Sequence, residues 1–143
     1  MMNIDKALYD RVLGLAWELS DAGEKEDEGV FRKKFAELEA VCADAMASDS
    51  AHPFFLETLA DFTMVDEEAV QLYEEALDLA AEMGLPDYAA SLYLAIAERC
   101  LELGDAEDAL AYARQGHSVA LELNDAALVT EATDLVSRIE QSN

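Results

Sequence analysis

The sequence predicts an all-α protein, an antiparallel helix-hairpin solenoid of about seven helices arranged as three hairpins and a C-terminal capping helix. Three observations predict it. Apolar residues recur at helical spacing almost throughout, and strand-like alternation is absent. The breaks between apolar runs carry helix stop-and-start chemistry. The chain also resembles itself after a shift of 40 residues, the sign of a repeat architecture.

Leu8, Val12, Leu15, Ala16 and Leu19 put an apolar stripe on a first helix over roughly 4–22. After the break at Asp21-Ala22-Gly23, Val30, Phe31, Phe35, Leu38, Val41 and Cys42 do the same for a second over roughly 28–48. His52-Pro53 opens a third over roughly 53–63, a length that is marginal without tertiary support. The break near Met64-Val65-Asp66 leads to a fourth over roughly 66–83. Gly84-Leu85-Pro86, Gly104-Asp105 and Asn124-Asp125 then introduce helices over roughly 86–103, 106–123 and 126–140. Gly or Asn suits the left-handed residue that ends a helix, and Asp or Pro suits the first turn of the next. Asp105-Ala106-Glu107-Asp108 supplies an N-cap and acidic first-turn residues where a helix N-terminus favours negative charge.

The internal repeat is anchored by Glu82-Met83-Gly84 and Glu122-Leu123-Asn124, which end two long helices 40 residues apart. The same shift lays Val30 on Val70 and Leu110, and Ala40 on Ala80 and Ala120. A shift of 81, about two periods, lays Gly23 on Gly104, Leu15 on Ile96 and Ala16 on Ala97. Two helices per period mean a helical solenoid.

The segment Tyr93-x-x-Ile96-Ala97-x-x-Cys100-x-x-x-Gly104-Asp105-x-x-x-Ala109-x-x-x-Ala113-x-x-Gly116 resembles the tetratricopeptide repeat in a longer-helix form. Cys100 and Ala113 stand where that family has aromatics, Gly116 stands for Ala, and its usual Pro is missing. The resemblance implies hairpins whose helices approach closely at the small residues Ala97 and Ala109. It also implies a concave groove, formed by the first helix of each pair, that receives peptides or partner helices. Carried over by register, the groove-facing positions are Asp10, Leu13 and Trp17 on the first helix and Phe54, Glu57 and Asp61 on the third. The fifth helix supplies Ser91, Leu94, Glu98 and Glu102, and the last supplies Glu131 and Asp134. Trp17 follows Leu15-Ala16, so it suits either the core or the groove as a binding anchor. The cationic clamp with which some tetratricopeptide cochaperones hold acidic tails has no Lys, Arg or Asn at these positions.

Composition narrows the function. The 143 residues suit one domain over 1–143, with 52 % hydrophobic content. Nine Lys plus Arg stand against 32 Asp plus Glu, a formal charge of −23 that excludes favourable contact with nucleic acid or an anionic membrane. From Phe35 to Glu98 there are 15 acidic residues and no Lys or Arg. That span reads either as general surface acidity, such as a halophile's, or as a field that a cationic partner would relieve. No stretch of about 18 uncharged residues occurs, and Met1 to Lys6 show no basic segment leading into an apolar run, so a cytoplasmic location is expected.

His52 and His117 are the only histidines, and no metal-ligand spacing, nucleophile elbow or phosphate loop is present, so no catalytic residue, metal or cofactor is expected. His52 suits a surface or helix-capping role and His117 a structural or solvated one. Cys42 and Cys100 suit small core positions, with a disulfide or reactive thiol as the alternative. The leading expectation is a non-enzymatic binding module, a monomer or weak homodimer, with an acidic groove for a basic or amphipathic protein. Its most concrete form is an immunity- or antitoxin-like protein that neutralises a basic toxin. The alternatives are a secretion or assembly chaperone for an amphipathic client segment, and a self-associating repeat module.

Overall fold

The computed structural model describes residues 4–142; Met1 to Asn3, part of the stretch read for a targeting signal, and Asn143 lie outside the described residues. Seven α-helices follow one another with no strand among the described residues: α1 Lys6–Glu24, α2 Glu28–Met46, α3 Pro53–Asp61, α4 Asp66–Met83, α5 Pro86–Glu102, α6 Ala106–Glu122 and α7 Ala126–Gln141. The helix starts are set by local chemistry. The carboxylates of Asp5, Asp27, Asp105 and Asp125 accept from the backbone N–H groups of Leu8, Val30, Asp108 and Leu128 at 3.0–3.3 Å, satisfying donors that a helix leaves free.

From α4 onward the chain is regular. Helices begin at Asp66, Pro86, Ala106 and Ala126, each 20 residues after the last, so the 40-residue repeat is two helices of equal register. Their ends share one closure as well. Gly84, Gly104 and Asn124 take left-handed φ values of 66°, 80° and 56°. The following N–H groups of Leu85, Asp105 and Asp125 bond back to Ala80, Cys100 and Ala120. At the end of α1 the expectation fails. Gly23 stays inside the helix, and Glu26 takes the left-handed turn at φ 54°, while the Asp27 N–H bonds to the Ala22 carbonyl.

Each helix packs on its chain neighbour, and α1, α3, α5 and α7 also touch in succession as one row. The even-numbered helices form the second row, in which neither α2 and α4 nor α4 and α6 approach each other. The helices come together over small residues. Ala69, Ala76, Ala97, Ala109 and Ala113 are fully buried, and at Gly116 a Cβ would lie 2.8 Å from Leu94 Cδ2. Two apolar clusters form the interior, one of α1, α2 and the start of α3, and one running from the end of α3 to α7.

α3 breaks the regularity. It has nine residues against 19 in α2 and 18 in α4, lengths of about 14, 28 and 27 Å at about 1.5 Å per residue. It pairs extensively with α4 and less with α2. Every buried residue of α2 therefore lies in its second half: Leu38, Val41, Cys42 and Ala45.

Candidate protein-binding surfaces

Nine of the twelve residues expected to face a groove fall into three groups. Glu57 and Ser91 meet across α3 and α5, where the serine hydroxyl donates to Glu57 Oε2 at 2.9 Å. Glu98 and Arg138 meet across α5 and α7 at 3.2 Å. Asp10, Leu13, Trp17, Glu102, Glu131 and Asp134 are exposed on the odd-numbered helices. Trp17 is 69 % and Leu13 43 % exposed, one turn apart and opposite the buried Val12, Leu15 and Leu19, so the core reading of Trp17 is set aside.

Two expected positions are corrected. Leu94 is buried and points at Gly116 of α6, so Ala95 shares the face of Ser91, Glu98 and Glu102 in its place. Phe54 is buried between α1 and α3, its ring centroid 4.8 Å from that of Tyr9. Neither side chain offers a surface anchor.

Asp61 is exposed, but its carboxylate is tied to α4. The Tyr73 hydroxyl donates to its Oδ1 at 2.5 Å, and burial raises its pKa against the pull of Tyr73 and Arg99. Burial and the neighbouring Asp61 charge raise the pKa of Glu57, and its bond from Ser91 opposes them. Arg99 organises this corner. Its guanidinium pairs with Asp66 Oδ1 at 3.0 Å and donates to the Ala60 and Asp61 carbonyls at 3.0 and 3.4 Å, closing the end of α3 against the start of α4. Sequence reasoning missed this role. Its only signal was position, since Arg99 is the first cation after Lys34.

His52 is buried, which corrects the surface half of its expectation. Its Nδ1 accepts the Phe54 N–H at 3.0 Å as the N-cap of α3, and burial lowers its pKa. Cys42 and Cys100 are buried free thiols whose pKa values burial pushes up to about 11, so neither is an activated nucleophile. No three His, Cys, Asp or Glu side chains gather among the described residues as a metal ion would require. No described helix is long and apolar enough to cross a membrane.

The carboxylates are not concentrated on the row of odd-numbered helices. On α4, in the other row, Glu67, Glu68, Glu74, Glu75, Asp78 and Glu82 are all exposed and make no ion pair among the described residues. The large concavity is also on that side. A cleft of about 1310 Å³ opens between the first half of α2 and the first half of α4, floored by the end of α3. It exists because α3 stops short. Phe31 and Phe35 of α2 stand beyond the end of α3 and remain only half-buried.

Helices stacked as successive hairpins, with one row in mutual contact and small residues at the crossings, define an all-α helical-repeat protein of solenoid-like fold. The crystal structure of BtubC (BKLC) from P. vanneervenii is similar over 96 % of this chain and 67 % of that one, with TM-score 0.67 and 19 % identity. The crystal structure of the de novo designed helical repeat protein DHR64 is similar over 95 % of this chain and 82 % of that one, with TM-score 0.53 and 21 % identity. No protein-family model and no curated protein matches the sequence.

Proposed function

We propose that this chain is a non-enzymatic, tetratricopeptide-like binding module that docks a basic protein on the face of its odd-numbered helices. An immunity- or antitoxin-like cap of a cationic toxin is the most concrete form of that reading, with the cytoplasm as its place of action. The observation that carries it is Trp17, 69 % exposed beside Leu13 in a chain of net charge −23. Tryptophan is the residue type most enriched at the energetic centres of protein interfaces, and an exposed one is a ready anchor. Glu102, Glu131 and Asp134 supply carboxylates on the same row of helices with no ion pair among the described residues. Such a field speeds the encounter with a cation and gives the contact its salt dependence.

Trp17 is the single Trp, so its emission reports the surface directly. With ribonuclease A, a basic folded protein without Trp, as the probe, the emission shifts to shorter wavelength at low salt. The shift disappears by about 0.3 M NaCl. Trp17→Ala weakens the association about tenfold in calorimetry. Unchanged emission together with salt-independent association would sink the reading.

A further inference from the structure

We infer that the cleft between α2 and α4 is a docking site for one amphipathic helix of a partner protein, apolar on one face and basic at its edges. This rests on the proposed reading only for the sign of the partner's charge; the site lies on the other row of helices and does not include Trp17.

The floor is apolar and incompletely covered. Phe31 and Phe35 line one wall, Leu72 the other, and Leu59 and Phe62 the base, all half-buried. Met64, at the lip, is 80 % exposed, and Val65 beside it is 50 % exposed. A thioether at that position adapts to side chains of different shape. An apolar surface left open in a concavity and rimmed by polar residues has the layout of a docking site.

The rim decides the occupant. Glu26, Asp27, Glu28, Glu39, Glu68 and Glu75 surround the cleft, against the single guanidinium of Arg32. A helix bearing Lys or Arg at the edges of its apolar face meets this rim favourably, whereas an acidic or neutral one does not. The missing length of α3 leaves an apolar floor uncovered between two helices, and an amphipathic helix laying its apolar face into such a groove is the recognition mode that suits it. A second copy of this chain is a poor occupant, because each copy brings a charge of −23.

The test uses the full chain and three labelled peptides of about 18 residues, enough for five turns. One is a Leu/Lys amphipathic helix, one has the same composition scrambled so that no apolar face forms, and one has Glu in place of Lys. Fluorescence anisotropy is expected to show the first binding at least about tenfold tighter than either other. Phe31→Ser with Met64→Ser weakens it about tenfold, and Glu68→Lys with Glu75→Lys does so mainly at low salt. Circular dichroism of both double variants checks the fold, and the rim variant carries the test if the floor variant unfolds. Glu107→Lys with Glu122→Lys, exposed on α6 and outside both proposed surfaces, changes the affinity less than about twofold.

Equal binding of the scrambled peptide, preference for the acidic one, or indifference to both cleft variants overturns the inference. So does a homodimer in sedimentation that the floor variant dissolves. If Glu131→Lys with Asp134→Lys, on α7, abolishes binding and the cleft variants do not, the cleft assignment falls while the function on the odd-numbered face stands. If the amphipathic peptide responds to the cleft variants while ribonuclease A leaves Trp17 silent, the reverse holds.

Discussion

At the scale of single residues, two opposing effects meet at Gly116. Alanine is a better helix former than glycine by about 1 kcal/mol in a helix interior, which favours Gly116→Ala. Against it, the added Cβ would lie 2.8 and 3.1 Å from Leu94 Cδ2 and Cγ and 3.2 Å from Tyr93 Cβ. Leu94 is 3 % exposed, so its side chain has to give way inside a packed interior, and overpacking of this kind costs about 1–3 kcal/mol. The steric cost wins, and Gly116→Ala lowers stability by about 1 kcal/mol in urea unfolding. Leu94→Ala removes the obstacle, so in the double variant the two costs add to less than their sum. Strict additivity would mean that the close approach at Gly116 does not limit the packing of α5 on α6.

His52 carries a second residue-scale prediction, in pH. Burial holds its folded pKa below the ordinary 6.5, so between the two values the unfolded chain binds more protons than the folded one. Its contribution is fully present above pH 6.5 and is lost as the pH falls through the lowered folded value. Protonation also fills the Nδ1 lone pair that accepts the Phe54 N–H. His52→Asn keeps an acceptor at the N-cap and does not titrate, whereas His52→Ala lies about 1 kcal/mol below His52→Asn at every pH. The raised pKa values of Glu57 and Asp61 act in the opposite sense, stabilising the fold as the pH falls, but they are common to both proteins and cancel in a comparison. Thermal melts between about pH 7.5 and about pH 5.5 should therefore show the wild type losing ground to His52→Asn as acid is added. Parallel profiles would mean that the imidazole does not titrate against the fold.

At the scale of elements, α3 is the part that most needs help, since nine residues cannot hold a helix by propensity. Its start is fixed by His52 and Pro53, and its end by Arg99, which accounts for two of the carbonyls that a helix terminus leaves unpaired. Arg99→Met removes those bonds and leaves Asp66, its side chain 29 % exposed, without its cation, a loss of about 2 kcal/mol. Arg99→Lys recovers only part of it, because an ammonium cannot span Asp66 and two carbonyls as a planar fork does. Amide exchange localises the effect: α3 and the first turn of α4 lose protection before α5 and α6 do. Uniform loss across all seven helices would refute the clamp. The same elements show what was legible beforehand. Helices α4 to α7 were readable almost to the residue because Gly84, Gly104 and Asn124 punctuate them locally. The end of α1 departs from the expectation because Glu26 takes the left-handed turn and Gly23 stays helical, with Asp27 both bonding back to Ala22 and capping α2. Phe54 and Leu94 were placed on the surface by register, but their faces are set by which neighbouring helix comes closest, which no local signal encodes. The cleft is not legible in the sequence for a related reason: Phe31 and Phe35 have core periodicity, and only the length of α3 decides that they stay uncovered.

At the scale of the whole molecule, attraction and repulsion between charges are far from balanced. The ion pairs of the described residues use Lys6, Lys25, Lys34, Arg99, Arg114 and Arg138, mostly at exposed sites where a pair contributes about 0–1 kcal/mol. Against them stands the self-repulsion of a net −23 on a chain of 15.6 kDa. Salt weakens both, but the repulsion is the stronger and decides the sign, so the melting temperature should rise with NaCl. Raising the salt from about 20 mM to about 0.5 M shrinks the screening length from about 20 Å to about 4 Å, and the expected gain is on the order of 5 °C. A flat or falling profile would mean that the pairs outweigh the field. The shape of the curve separates the two readings of the acidity. Screening is nearly complete by about 1 M, so a field held in reserve for a cationic partner gives a plateau there. A surface adapted to a saline solvent continues to gain through about 3 M, where Debye screening has nothing left to add. In the first case polylysine at micromolar concentration should reproduce the stabilisation at low salt, because a bound polycation neutralises the same field that free sodium ions screen.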